Sequence, residues 1–285
     1  MKQHTNISVS QKILSSRVVG KSLDLRSFIK YALSLLFSLF SFSVFAQGPP
    51  ILTDKPIMLG QYKGTARLIY TRQRTSKLTS TNLIPMVDFN ISNSLAVEAG
   101  AMFTHLDGSA YKGLKLTDVM GGVKLQYFKF DLKGKTLRLA NKINYTKQVS
   151  YSHAAIKTTG MLGWGFGGGF LAGFESLKFG TVAEAGVQYL NIPDRLRGTF
   201  VDLKLSAGLP LLRQQFPVRQ INVYIEQEYL DQIQARSAAW LLSGGLQAIY
   251  GVVALEFFYQ TCVLSVGNIS PYPQRSVGVG VRYIY

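Results

Sequence analysis

Charge, cysteine and long apolar runs are all scarce in this chain. Charged residues make up 16% of its 285 positions, below the usual quarter for a globular domain. One cysteine, Cys262, excludes an intrachain disulfide. After residue 46 no uninterrupted apolar run is long enough for a transmembrane helix. Gly, Tyr and Phe are plentiful instead, with 27, 15 and 17 copies. The charge that exists is one-sided: 31 Lys and Arg against 15 Asp and Glu, a formal net charge of +16.

A basic excess invites a nucleic-acid reading, but the N-terminus argues against that partner. Lys2, Lys12, Arg17, Lys21, Arg26 and Lys30 form a basic leader, followed by the uncharged, apolar and Ser-rich stretch Tyr31 to Phe45. Val44-Phe45-Ala46 then offers small residues before Gln47-Gly48-Pro49-Pro50. This is the form of a secretory signal peptide, residues 1–46, cleaved after Ala46. A retained signal anchor is the alternative. Residues 47–60 then make a periplasmic lead-in, and residues 61–285 one transmembrane domain.

Alternation of apolar with polar or small residues recurs through that domain. Tyr62 to Tyr70, Leu83 to Ile91 and Leu95 to Phe103 are the first three runs, the last two joined by the polar turn Ser92-Asn93-Ser94. Val119 to Tyr127, Leu137 to Tyr145, Leu162 to Phe174, Phe179 to Tyr189, Val201 to Leu209 and Ile221 to Tyr229 continue it. Trp240 to Ala248, Val253 to Val263 and Arg275 to Tyr285 bring the count to twelve. Asp131 to Gly134 reads as a tight turn, and Pro210 to Val218 as a longer one. Longer connections are expected at Arg72 to Asn82, Leu106 to Asp118, Ser150 to Thr159, Asn191 to Gly198, Asp231 to Ser237 and Val266 to Gln274.

The last run, R-S-V-G-V-G-V-R-Y-I-Y, places Val277, Val279, Val281, Tyr283 and Tyr285 on one face. It resembles the closing strand of bacterial outer-membrane β-barrels. In that family the terminal aromatic is read by the barrel-insertion machinery, so Tyr283 and Tyr285 are the expected insertion signal. The expectation is an all-β fold: an antiparallel transmembrane β-barrel of about twelve strands. An even count puts both termini on the periplasmic side, with short turns there and long loops outside. A membrane-spanning sheet must close to satisfy its own amides and carbonyls. Tyr62, Tyr70, Phe103, Tyr127, Tyr145, Phe174, Phe179, Tyr189 and Tyr229 are expected at the interfaces. A soluble sandwich would also alternate, but its strands are shorter.

Sorting the charges by face gives an interior with seven basic residues, Lys63, Arg67, Lys124, Arg138, Lys142, Lys204 and Arg282. Opposing them are seven acids, Asp88, Glu98, Glu184, Asp202, Glu226, Glu228 and Glu256. So balanced a lumen is either a salt-bridged core or a narrow wet passage. The surplus lies in loops, at Arg72, Arg74, Lys77, Lys112, Lys115, Lys157, Arg195, Arg197 and Arg236, where lipopolysaccharide phosphates are candidate partners and a solvated face the plain alternative.

Signals for catalysis are weak. Ser152 and His153 are adjacent near a loop and His105 lies at a strand end, but adjacency does not supply nucleophile–base geometry. Gly163 to Gly169 carries repeated glycines within an aromatic strand, not between a strand and a helix, which disfavours a phosphate loop. No catalytic residue, metal or cofactor is expected.

Residues 48–56, G-P-P-I-L-T-D-K-P, resemble the opening of an outer-membrane transporter family related to proteins of phenol meta-cleavage pathways. Lys55 stands where that family commonly has an acid. The resemblance implies passage of small, hydrophobic molecules. The expected protein is a monomeric outer-membrane channel or transporter for small solutes. The alternative is a structural or adhesion barrel with a closed lumen and basic loops that bind lipopolysaccharide or a partner; an outer-membrane hydrolase is the third class.

Overall fold

The computed structural model describes residues 63–75, 79–107, 113–133, 135–150, 163–176, 179–192, 196–213, 220–267 and 273–285. They form twelve strands: β1 (Gly64–Arg74), β2 (Thr79–Asn90), β3 (Leu95–Leu106), β4 (Lys115–Leu132), β5 (Lys135–Gln148) and β6 (Trp164–Ser176). The second half adds β7 (Gly180–Ile192), β8 (Leu196–Arg213), β9 (Gln220–Gln232), β10 (Ser237–Tyr250), β11 (Val253–Val266) and β12 (Arg275–Ile284). Each pairs antiparallel with its sequence neighbours, and β1 pairs with β12, closing the barrel. Closure leaves no edge, so ladder amides and carbonyls bond within the protein.

The period-two pattern sorts residues as the closed sheet requires. In β12, Val277, Val279, Val281 and Tyr283 are 40–50% exposed, while Ser276, Gly278, Gly280 and Arg282 are buried. The exposed row continues around the barrel through Leu68, Tyr70, Val123, Leu125, Ile143, Tyr145, Phe166 and Phe170. Further round lie Val187, Tyr189, Ile225, Leu246, Leu255 and Phe257. So wide an apolar surface is what hydrocarbon, not water, accommodates. From Tyr285 to Val277 the row climbs about 27 Å at about 3.4 Å per residue; a tilt of about 40° makes that about 21 Å, near the usual band of about 25 Å. No helix among the described residues is long and apolar enough to cross a membrane.

Several strand ends differ from the sequence expectation. β1 runs to Arg74 and β2 starts at Thr79, so most of the loop expected at 72–82 is strand. β7 and β8 reach Ile192 and Leu196, and only residues 233–236 separate β9 from β10. Above the apolar band a strand no longer faces lipid, so segments such as Thr79-Ser80-Thr81-Asn82 extend the ladder without an alternating signal. The contrast of long with short connections therefore holds at 107–114, 149–163 and 267–274 but fails at 75–78, 193–195 and 233–236.

At the other end, Asp131 and Leu132 belong to β4, not to a turn. A register shift between Gln126 and Phe128 inserts an extra residue, turning Lys129 and Asp131 onto the inward row that holds Arg138. β8 likewise continues past Pro210 to Arg213, with a shift between Pro210 and Leu212. Proline has no amide to donate, so it sits where the ladder is already broken. Short turns carry their own chemistry. Ser92 Oγ accepts from the amides of Ser94 and Leu95 at 3.2 and 3.0 Å, and Gly251 takes φ +60° in the β10–β11 turn. Residues 1–62, which include the expected leader, lead-in and Gly48–Pro56 opening, lie outside the described residues.

Candidate functional site

β1 begins and β12 ends at the same end of the barrel. Gly64 and Tyr285 exchange two backbone hydrogen bonds of 3.1 Å there. Tyr283 and Tyr285 face outward with their rings 6.3 Å apart and nearly parallel. The Tyr285 hydroxyl donates to the Asp88 carbonyl at 3.1 Å, covering the space left open at Gly64.

The inward rows near this end build a buried network around Glu256, whose side chain is inaccessible to solvent. One carboxylate oxygen takes Arg67 Nη2 and Nε at 2.6 and 2.8 Å. The other takes Arg282 Nη2 and Gln247 Nε2, both at 2.9 Å. Gln247 Oε1 accepts in turn from Tyr224 Oη at 2.7 Å and Asn222 Nδ2 at 3.1 Å. Arg67 and Arg282 are direct cross-strand partners, so one carboxylate offsets two guanidiniums on either side of the closing seam. β12 makes room for this with glycine: a Cβ at Gly280 would meet Glu256 Oε2 at 3.2 Å, and one at Gly278 would collide with the Phe258 ring. Phe258 packs with Ile69, Tyr224, Ile84 and Met86 into an apolar cluster against the same wall.

A second set of charges spans β5 to β9. Lys142 pairs with Glu184, and Lys204 lies 2.7 Å from Asp202 and 3.4 Å from Glu228. Gln260 Nε2 donates to Glu228 at 3.2 Å. Register places Lys142, Gly169, Gly186 and Asp202 at one level on four successive strands. The atoms nearest a Cβ at Gly169 or Gly186 are all backbone, so between the flanking charges the wall is bare main chain. Lys142, Lys204, Asp202 and Glu228 retain 12–22% of their side-chain exposure at this height.

Of the other interior candidates, Asp88 is fixed by Thr65, whose amide and hydroxyl donate to it at 3.0 and 2.7 Å. Arg138 pairs with Asp131 at 2.6 Å, the acid that the β4 bulge brings inward. Glu98 lies beside Gly122, while Lys124 and Glu226 are buried on their strands. Lys63 is exposed ahead of β1 and takes no part in the networks that surround Glu256 and Lys204. Sequence reasoning missed three neutral members: Tyr224, Gln247 and Gln260 share inward rows with the charges and with Asn222, and that shared parity was the available signal. His105 contacts the Gly113 carbonyl at 3.1 Å; Ser152 and His153 lie outside the described residues. No group of metal-binding side chains occurs among the described residues.

No protein-family model and no curated protein matches the sequence. Solved structures do resemble the fold. An outer membrane channel from Pseudomonas putida F1 matches with TM-score 0.59 at 8% identity, covering 84% of this chain and all of that one. The beta domain of the Bordetella autotransporter BrkA matches with TM-score 0.50 at 15% identity, covering 79% of this chain and all of the other. At such identities the likeness is one of architecture, a closed membrane-type barrel.

Proposed function

We propose that the chain is a monomeric bacterial outer-membrane barrel that passes small solutes, without an enzymatic role. The observation that carries this reading is the bare glycine wall at Gly169 and Gly186. It sits between Lys142 and Asp202 in an interior that is polar at mid-height. The two glycines add no side chain of their own to the lumen at this level, and a Cβ at Gly169 would also meet the Ala185 carbonyl oxygen at 2.9 Å. The signal peptide at 1–46, both termini on the periplasmic side and insertion directed by Tyr283 and Tyr285 belong to the same reading. So does contact between the basic outer rim and lipopolysaccharide. The resemblance of residues 48–56 to the phenol-pathway transporter family supports small hydrophobic solutes.

The second reading, a structural barrel with a closed lumen, is favoured by the network at Glu256, where Asn222 and Gln247 are fully buried. Planar-bilayer recording decides between them. Discrete conductance steps from refolded protein are expected. Their absence from protein that shows the heat-modifiable gel migration of a folded barrel would leave only the closed reading.

A further inference from the structure

At the end of the barrel away from the termini, Arg74 of β1 and Arg275 of β12 are direct cross-strand partners. Both are exposed, on the outward rows that carry Tyr70 in β1 and Val277 in β12. Arg72 lies two residues along the same outward row and pairs with Asp107 at 3.0 Å. Like charges placed directly opposite on adjacent strands repel. Among the described residues neither Arg74 nor Arg275 has a carboxylate partner. Two guanidiniums side by side are suited to the bidentate geometry of a phosphate.

What lies below them chooses between a free anion and a lipid. Tyr259, Val277, Val279 and Tyr70 are 40–50% exposed and form an apolar column leading down from the arginines. A free phosphate would use only the guanidiniums; an amphiphile with a phosphate head and acyl chains would use both. We propose that Arg74 and Arg275 hold a phosphate of lipid A, whose acyl chains lie along this column. The proposal rests on the outer-membrane reading, with this end facing outward, and it adds a defined lipid site to it.

The test uses full-length refolded protein in phosphatidylcholine nanodiscs and measures binding of diphosphoryl lipid A. The Arg74→Gln/Arg275→Gln variant should bind at least about tenfold more weakly, with unchanged heat-modifiable migration as evidence of folding. Inorganic phosphate at millimolar concentration should not displace the lipid. Equal affinity in wild type and variant, or full displacement by inorganic phosphate, overturns the site. If the double variant does not fold, the two single Arg→Gln variants are read by the same criteria. Membrane fractionation of expressing cells tests the outer-membrane location separately, so loss of that reading and loss of the lipid site give different results.

Discussion

Glu256 has no solvent to fall back on, and its two arginine partners face each other on adjacent strands. Glu256→Gln would leave Arg67 and Arg282 buried without an anion between them. Breaking a buried pair from one side costs about 3–5 kcal/mol. The rim pair Arg72–Asp107, with side chains 60% and 42% exposed, is of the class worth about 0–1 kcal/mol. Urea unfolding of the refolded barrel should therefore show a large loss for Glu256→Gln and almost none for Asp107→Asn; equal effects would contradict the network's role. Glu256, Arg67 and Arg282 could be assigned a face because a charge on an alternating strand declares its side, whereas Lys63, exposed ahead of β1, and Asp131, turned inward by the β4 bulge, could not. Nor was the Gln247 hub legible. A neutral amide is tolerated on many surfaces, and its bonds to Asn222, Tyr224 and Glu256 depend on the register of β9, β10 and β11, which no single strand's sequence encodes.

A strand in this barrel is two half-surfaces read at alternate residues, and neighbours in sequence should respond to substitution for different reasons. Gly278 points inward under the Phe258 ring. Gly278→Leu should cost about 1–3 kcal/mol by overpacking. Phe258→Ala should recover part of that loss in a double-mutant cycle, because the two groups touch. Val279 is half exposed on the outward row, between the middle of that row at Val281 and its end at Val277, and Val279→Arg should cost less in a bilayer than the midplane value of about 2–4 kcal/mol. That loss should be unaffected by Phe258→Ala. Coupling of both substitutions to Phe258 would show the face assignment to be wrong. Existence and order of all twelve strands could be read from alternation because the apolar band imposes it. Strand ends were harder to read, since Thr79 to Asn82 and Asp131 lie where that constraint lapses or where a bulge reverses the phase.

The whole molecule sets its balanced interior charges in neutralising groups rather than in opposed sheets of one sign. Lys204 serves Asp202 and Glu228, Lys142 serves Glu184, and Glu256 serves two arginines. A passage along the Gly169–Gly186 wall would then meet little net field, and the channel should select weakly between cations and anions, with a reversal potential near zero in a salt gradient. Removing one cation breaks that balance: Lys204→Gln leaves Asp202 and Glu228 facing the same space, and the reversal potential should move toward the cation value. The shift should shrink as salt is raised, because mobile ions screen exposed charge within about 10 Å at 0.1 M. Gly186→Phe makes the complementary test. It adds a ring to the bare wall without altering charge, so single-channel conductance should fall while the reversal potential stays put. A reversal potential indifferent to Lys204→Gln, together with conductance indifferent to Gly186→Phe, would place any ion path elsewhere in the barrel.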